Sequence, residues 1–175
     1  MSHTAQFDWR QSKVLVTGAS GFLGLAMVKG LIARGSCVHA IVNKESSNNP
    51  FFCFDMREVT FIPCDVSEWN ELHSLFADQS FDVIIHLAAI NSNSGLISPY
   101  ALWESNIRGT YSILEACKTF TPNARIVIAS SREAELCFEP VSNQRYHPYM
   151  VSKAADELIA FSYRDYFSLG VACVR

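Results

Sequence analysis

No stretch of these 175 residues approaches the length of a membrane span, and the polar start, MSHTAQFDWRQ, has neither the basic patch nor the apolar run of a signal peptide. A cytoplasmic protein without a membrane anchor is the expectation. Clusters of basic residues, with or without interleaved aromatics, are also missing, and the net charge is -3. Nucleic acid therefore has no electrostatic reason to bind. The six cysteines, Cys37, Cys53, Cys64, Cys117, Cys137 and Cys173, stand singly, with no CxxC pair and no histidine at ligand spacing. That argues against a zinc site, and the five histidines form no metal cluster of their own. Cys37, Cys117 and Cys173 lie in apolar segments and are expected to be small buried hydrophobes.

What is present is enough apolar material, 49% of residues, for one packed domain, read as spanning 1–175. Six short runs rich in Val, Ile and Cys read as buried strands: KVLVT (13–17), CVHAIV (37–42), VTFIP (59–63), DVIIH (82–86), RIVIAS (125–130) and GVACV (170–174). Between them the spacing predicts helices over 22–34, ending at Gly35, after a Ser67 cap, over 99–120 and over 148–168. Alternating strands and helices imply an α/β fold, a doubly wound parallel sheet of about six strands with helices on both faces. The loop 43–58 is polar first and then Phe-rich.

Directly after the first strand comes TGASGFLG, which places Gly18, Gly21 and Gly24 in a turn opening a helix. Glycines there let the backbone approach a pyrophosphate, and the helix N-terminus offers free N–H groups and the positive end of its dipole. Ser20, Phe22 and Leu23 belong to the same loop. At the end of the second strand, where a ribose would be read, Asn43 and Lys44 are followed by Glu45-Ser46-Ser47. A lysine followed by hydroxyls suits a 2′-phosphate better than the acid usual for NAD, which favours NADP over NAD.

In HPYMVSKAADELIA, Tyr149 and Lys153 stand four apart on one helix face. A tyrosine of ordinary pKa, about 10, is a poor base, and a nearby ammonium is expected to favour its phenolate. Tyr149 could then accept a proton while hydride passes to a nicotinamide. The stretch IASSREAE (128–135) leads from the fifth strand through two hydroxyls into charges.

These motifs, in this order, resemble the extended short-chain dehydrogenase/reductase family, the NAD-dependent epimerases and dehydratases. The spacing GxxGxxG matches its loop, Asp65-Val66 its adenine-contacting pair, and His86-Leu87-Ala88-Ala89 its HLAA segment beneath the cofactor. Asn106-Ile-Arg-Gly109-Thr110 matches its NxxGT helix. The segment from Tyr146 to Arg175, with FDWRQSKVLVTG and SPYALWESNIRGTYSILEAC, is similar to the nucleoside-diphosphate-sugar 4,6-dehydratases, those of the CDP-glucose type especially. The resemblance implies a nucleotide-sugar substrate, NAD or NADP, Tyr149 and Lys153 as catalytic and cofactor-contacting residues, and Ser131 as a substrate-orienting hydroxyl. It also implies a homodimer through the helices near 99–120 and 148–168, which carry Tyr100, Leu102, Trp103, Ile159, Phe161 and Tyr163.

Two departures stand out. The dehydratases carry an aspartic acid after the hydroxyl, where this chain has Arg132, and an arginine cannot donate a proton at accessible pH. Glu133, the next residue, is the candidate to replace it. Members of the family also continue beyond the position of Arg175 into a substrate-binding region, expected to be missing from these residues. An alternative reading is thus a cofactor-binding module or sensor without catalysis.

Overall fold

The computed structural model describes residues 7–10, 12–42, 58–91, 98–139, 143 and 145–175. Each apolar run forms a strand: β1 (Lys13–Thr17), β2 (Cys37–Val42), β3 (Val59–Pro63), β4 (Val83–His86), β5 (Arg125–Ala129) and β6 (Gly170–Val174). All five neighbouring pairs are parallel, in the order β3-β2-β1-β4-β5-β6. The doubly wound sheet expected from the alternation of elements is therefore present. Because successive side chains of a strand point to opposite faces, β1 divides its residues between two cores. Val14 and Val16 pack with Val28 and Leu31 of α1 (Phe22–Ile32), whereas Leu15 packs with Leu72 and Phe76 of α2 (Trp69–Asp78) on the other face.

The helix expected over 99–120 is continuous but not uniform. It consists of α3 (Pro99–Trp103), a π turn (Glu104–Arg108) and α4 (Gly109–Phe120). The wider turn places an extra residue and re-aims the side chains within it. A short α5 (Arg132–Glu135) and the long α6 (Pro148–Phe167) complete the fold. Proline at the first position of α6 costs no hydrogen bond there, and Ser168 ends the helix in the left-handed region at φ 59°.

Two local expectations need correction. Ser67 does not cap α2: Glu68 takes that position, and the Ser67 hydroxyl donates to Asp65 Oδ1 at 2.8 Å. Cys37 is exposed, because it opens β2 at its outer end, while Cys64 and Cys117 are buried and Cys137 and Cys173 are partly so. Cys53 lies outside the described residues.

The sheet order reverses between β1 and β4, so the loops leaving those two strands part and open a crevice at their carboxyl ends. Thr17, the last residue of β1, secures this point. Its hydroxyl accepts hydrogen bonds from the backbone N–H of Leu87 and Ala88, at 3.2 and 3.1 Å, just past the end of β4.

Candidate functional site

The glycine loop opens at the crevice. Gly18 sits at φ 63°, and a Cβ there would lie 2.6 Å from the Ala88 backbone nitrogen. At Gly24 a Cβ would come within 2.2 Å of the Gly18 carbonyl oxygen. These two glycines are thus required by the loop's own packing, independently of any ligand. Gly21 takes the N-cap position of α1 with no side-chain cap, and Phe22 (97% exposed) and Leu23 extend into solvent beside it.

An uncapped helix N-terminus therefore faces an open cleft of about 440 Å³. Gly18, Ser20, Asp65, Val66, Ala88 and Ala89 line it, drawn from the ends of β1, β3 and β4. Free N–H groups, the positive dipole end and apolar walls are what a dinucleotide's pyrophosphate and rings require, so the residues present fit that group. Asp65 is already engaged, its Oδ1 accepting from Ser67 N–H at 2.9 Å and from the Ser67 hydroxyl. Leu87 continues the same segment. Asn43 and Lys44, the expected ribose readers, lie outside the described residues.

Asn106 takes an interior position. The π turn directs it inward, where it is fully buried, and its amide is occupied by protein. Oδ1 accepts from Ile90 N–H at 2.8 Å, and Nδ2 donates to the Ile90 carbonyl and to Ser152 Oγ, both at 3.0 Å. Asn106 thereby brackets the segment below the cleft to the start of α6, where the Ser152 hydroxyl donates to the Tyr149 carbonyl.

Ser131 and Tyr149, from the end of β5 and the first turn of α6, meet at the edge of the sheet. Ser131 Oγ caps α5 by accepting from Glu133 N–H at 3.2 Å, and the Ser131 side chain stands close enough to the Tyr149 phenol to draw its pKa down. Arg132 and Glu133 are exposed and line, with Ser131, a separate opening. Ser130 instead points to Glu157, which is also gripped by Arg175 through Nε and Nη2 at 2.8 and 2.7 Å. The Arg175 guanidinium holds the Glu157 carboxyl below its usual range, against the effect of burial.

Lys153 departs from the electrostatic expectation. Its Nζ donates to the Ala129 carbonyl and to Asp156 Oδ2, each at 3.0 Å, and the ion pair is buried, with the two side chains 4% and 0% exposed. Burial raises the Tyr149 phenol above its ordinary pKa, Ser131 pulls it back, and Glu133 and Asp156 push it further up. The tyrosine is thus raised rather than lowered, burial being the largest cause, while the Lys153 ammonium is engaged by a carboxylate.

Behind the pair runs a chain of buried polar groups that the motif reading did not connect. The Thr17 hydroxyl, already accepting two N–H groups, gives its hydrogen to His86 Nδ1 at 2.7 Å. That assigns the imidazole hydrogen to Nε2, which donates to Thr110 Oγ1 at 3.2 Å. Burial, with Lys153 nearby, lowers the His86 pKa to about 3, so the ring is neutral. Burial raises the Asp156 pKa, and Lys153 and, after it, Thr110 pull it back only in part, yet Asp156 Oδ1 has no hydrogen bond of normal geometry. His86 and Thr110 stand in motifs that the sequence displays, whereas Asp156 was missed, its i+3 spacing from Lys153 being the signal that could have found it.

Residues 14–175 match the model of the NAD dependent epimerase/dehydratase family. The UDP-glucuronate 4-epimerase of Thermodesulfobacterium geofontis (strain OPF15) is 26% identical, over 92% of this chain and 54% of its own length. The dTDP-4-dehydro-6-deoxy-D-allose reductase of Streptomyces bikiniensis is 28% identical, over 95% of this chain and 56% of its own. Among solved structures, epimerase Mth375 of Methanothermobacter thermautotrophicus has the same fold, with a TM-score of 0.81 at 24% identity, covering 95% of this chain and 52% of that one. The chain spans about half the length of these relatives. The match along nearly all of the sequence, with the glycine loop at the sheet's switch point, places the chain in the NAD-dependent epimerase/dehydratase family.

Proposed function

We propose that residues 1–175 are the dinucleotide-binding domain of a nucleotide-sugar oxidoreductase of the epimerase/dehydratase type, with Tyr149 as the base. The observation that carries this reading is the meeting of Ser131, which follows β5, and Tyr149 at the carboxyl ends of the strands, the side of the sheet on which the glycine loop lines its cleft. Gly18, Ser20, Gly21, Phe22, Leu23 and Gly24 would hold the pyrophosphate, Asp65 and Val66 the adenine, and Leu87, Ala88 and Ala89 the floor beneath the nicotinamide. Asn43 and Lys44 would read the ribose, and Lys44 favours NADP. A bound nicotinamide supplies the hydride acceptor. Ser131 orients a sugar hydroxyl and Tyr149 takes its proton, while Lys153 secures the floor of the site. Asn106 holds the segment around Ile90 against α6 and so fixes Tyr149 relative to the cleft.

Epimerase or ketoreductase chemistry suits these residues better than 4,6-dehydration of a CDP-glucose type substrate. Elimination calls for an acid after the hydroxyl; Arg132 cannot serve, and Glu133 is exposed on the next position. The two relatives, a 4-epimerase and a reductase by name, support that preference. A cytoplasmic location and a homodimer belong to the same reading. Of the residues expected at that contact Tyr100 and Trp103 are exposed, whereas Leu102 is buried and Ile159 and Tyr163 pack against the core; light scattering at micromolar concentration should report twice the monomer mass if the dimer forms.

In the full-length protein, Tyr149→Phe should abolish reduction of the cofactor by a nucleotide sugar and leave cofactor affinity unchanged. Undiminished turnover would refute the assignment. A second reading, a cofactor-binding module without catalysis, is favoured by Arg132 and by the raised Tyr149 pKa. It predicts that calorimetry detects NAD or NADP binding while no sugar in a panel of nucleotide sugars is converted.

A further inference from the structure

We propose that Glu157 and Arg175 form a positioning clamp for Ser131, gripping the chain on both sides of that residue so that its hydroxyl is presented to Tyr149 and the substrate. The inference rests on the reading of Ser131 as the orienting hydroxyl and Tyr149 as the base. Glu157 stands on α6 four residues after Lys153, and its side chain is 1% exposed. A carboxylate so buried needs a cation and hydrogen bonds for its remaining lone pairs. Arg175, which follows β6, supplies the cation in a two-pronged grip, Nε on Oε1 and Nη2 on Oε2. The Ser130 hydroxyl donates to the same Oε1. The Ser130 N–H donates to the Val174 carbonyl at 2.8 Å, so both the backbone and the side chain of the residue before Ser131 are held.

The same guanidinium holds the other side. Its Nη1 lies 3.5 Å from Glu135 Oε1 in α5, and its carbon lies over the Phe138 ring, 5.7 Å from the centroid, just past that helix. Ser131 sits between these anchors, and its Oγ uses one lone pair to accept the Glu133 N–H. The hydroxyl hydrogen and the second lone pair remain for the phenol and a sugar. With Ser130 and α5 tied to one ion pair, the residue between them has little freedom to turn, and a displacement of about 1 Å can cost about a hundredfold in catalysis.

Ser131 draws the Tyr149 pKa down, so its release is read as a rise in the Tyr149 titration midpoint. The midpoint is followed by phenol-carbon NMR of isotopically labelled tyrosine in the full-length, ligand-free protein, the Tyr149 signal being the one lost in Tyr149→Phe. The double variant Glu157→Leu/Arg175→Met removes the clamp without leaving an unpaired charge, and apolar groups of similar size should let it fold. It should raise the Tyr149 midpoint by most of the shift that Ser131→Ala produces, and add no further rise when combined with Ser131→Ala. An unchanged midpoint would overturn the proposal, because a purely stabilising ion pair would change denaturation alone. An equal rise with and without Ser131 would overturn it too, by showing that the pair acts on the tyrosine along another route. If the double variant does not fold, Arg175→Lys, which retains the charge and loses the two-pronged grip, decides by the same comparison, with a smaller rise expected. The readout needs neither cofactor nor sugar, so a failure here removes the clamp alone, whereas full turnover in Tyr149→Phe removes the base.

Discussion

Acid should destabilise this protein through His86, and the effect can be isolated from the other titrating groups. The ring is fully buried, neutral, and clamped between the hydroxyls of Thr17 and Thr110, with Lys153 close enough to add repulsion if it were charged. Its pKa falls from an ordinary 6.5 to about 3 on folding. A folded pKa below the unfolded one means that the unfolded chain binds the proton first. The contribution is therefore intact above pH 6.5 and is lost as pH falls from there through about 3. Each pH unit within that window removes about 1.4 kcal/mol, so two units remove about 2.7 kcal/mol and the whole window roughly 5 kcal/mol. For a domain whose total stability is on the order of 5–15 kcal/mol, that is enough to bring unfolding within reach.

The assay is urea denaturation at a series of pH values for the wild type and for His86→Gln. The variant keeps a donor for Thr110 but cannot titrate, and it should cost about 1–3 kcal/mol near neutrality through imperfect hydrogen bonding. His39, whose pKa is also lowered by burial, and the carboxylates of Glu115 and Glu157 titrate alike in both proteins and cancel in the difference. The two stability curves should converge on acidification, wild type falling faster by about 1.4 kcal/mol per pH unit. Parallel curves would show that His86 is protonated in the folded protein or open to water, and would refute the buried threonine clamp.

Asn106→Leu removes a bracket of three hydrogen bonds and leaves the Ile90 N–H and carbonyl without partners; a loss of about 2–4 kcal/mol in stability, read by chemical denaturation, is expected. The neighbouring Tyr149 should then lose its fixed position, which would lower turnover in the full-length protein even at saturating cofactor. Gly24→Ala forces a methyl to within 2.2 Å of the Gly18 carbonyl and must displace the loop. Calorimetry should find dinucleotide affinity at least about tenfold weaker, whereas Gly30→Ala, whose nearest neighbour would be the flexible tip of Arg34 at 3.5 Å, should leave it unchanged.

The order of elements and the position of the glycine loop were legible in the sequence because both are set locally. A run such as Val14-Leu15-Val16 can be buried on both faces only in a covered parallel strand, and Gly18 and Gly24 mark the turn after it. The i+4 spacing placed Tyr149 and Lys153 on one face of α6 for the same reason. Where those side chains go was decided by contacts far apart in the chain. Thr17 and His86 are 69 positions apart, His86 and Thr110 24, and Lys153 and the Ala129 carbonyl 24. The spacing YxxxK is silent on whether the ammonium turns toward the phenol before it or the carboxylate after it. Only the packing of α6 on the sheet buries Asp156 completely, and an ionised carboxylate taken out of water needs a cation, so the tertiary structure sets the Lys153 ammonium against Asp156, a partner that the YxxxK spacing does not name.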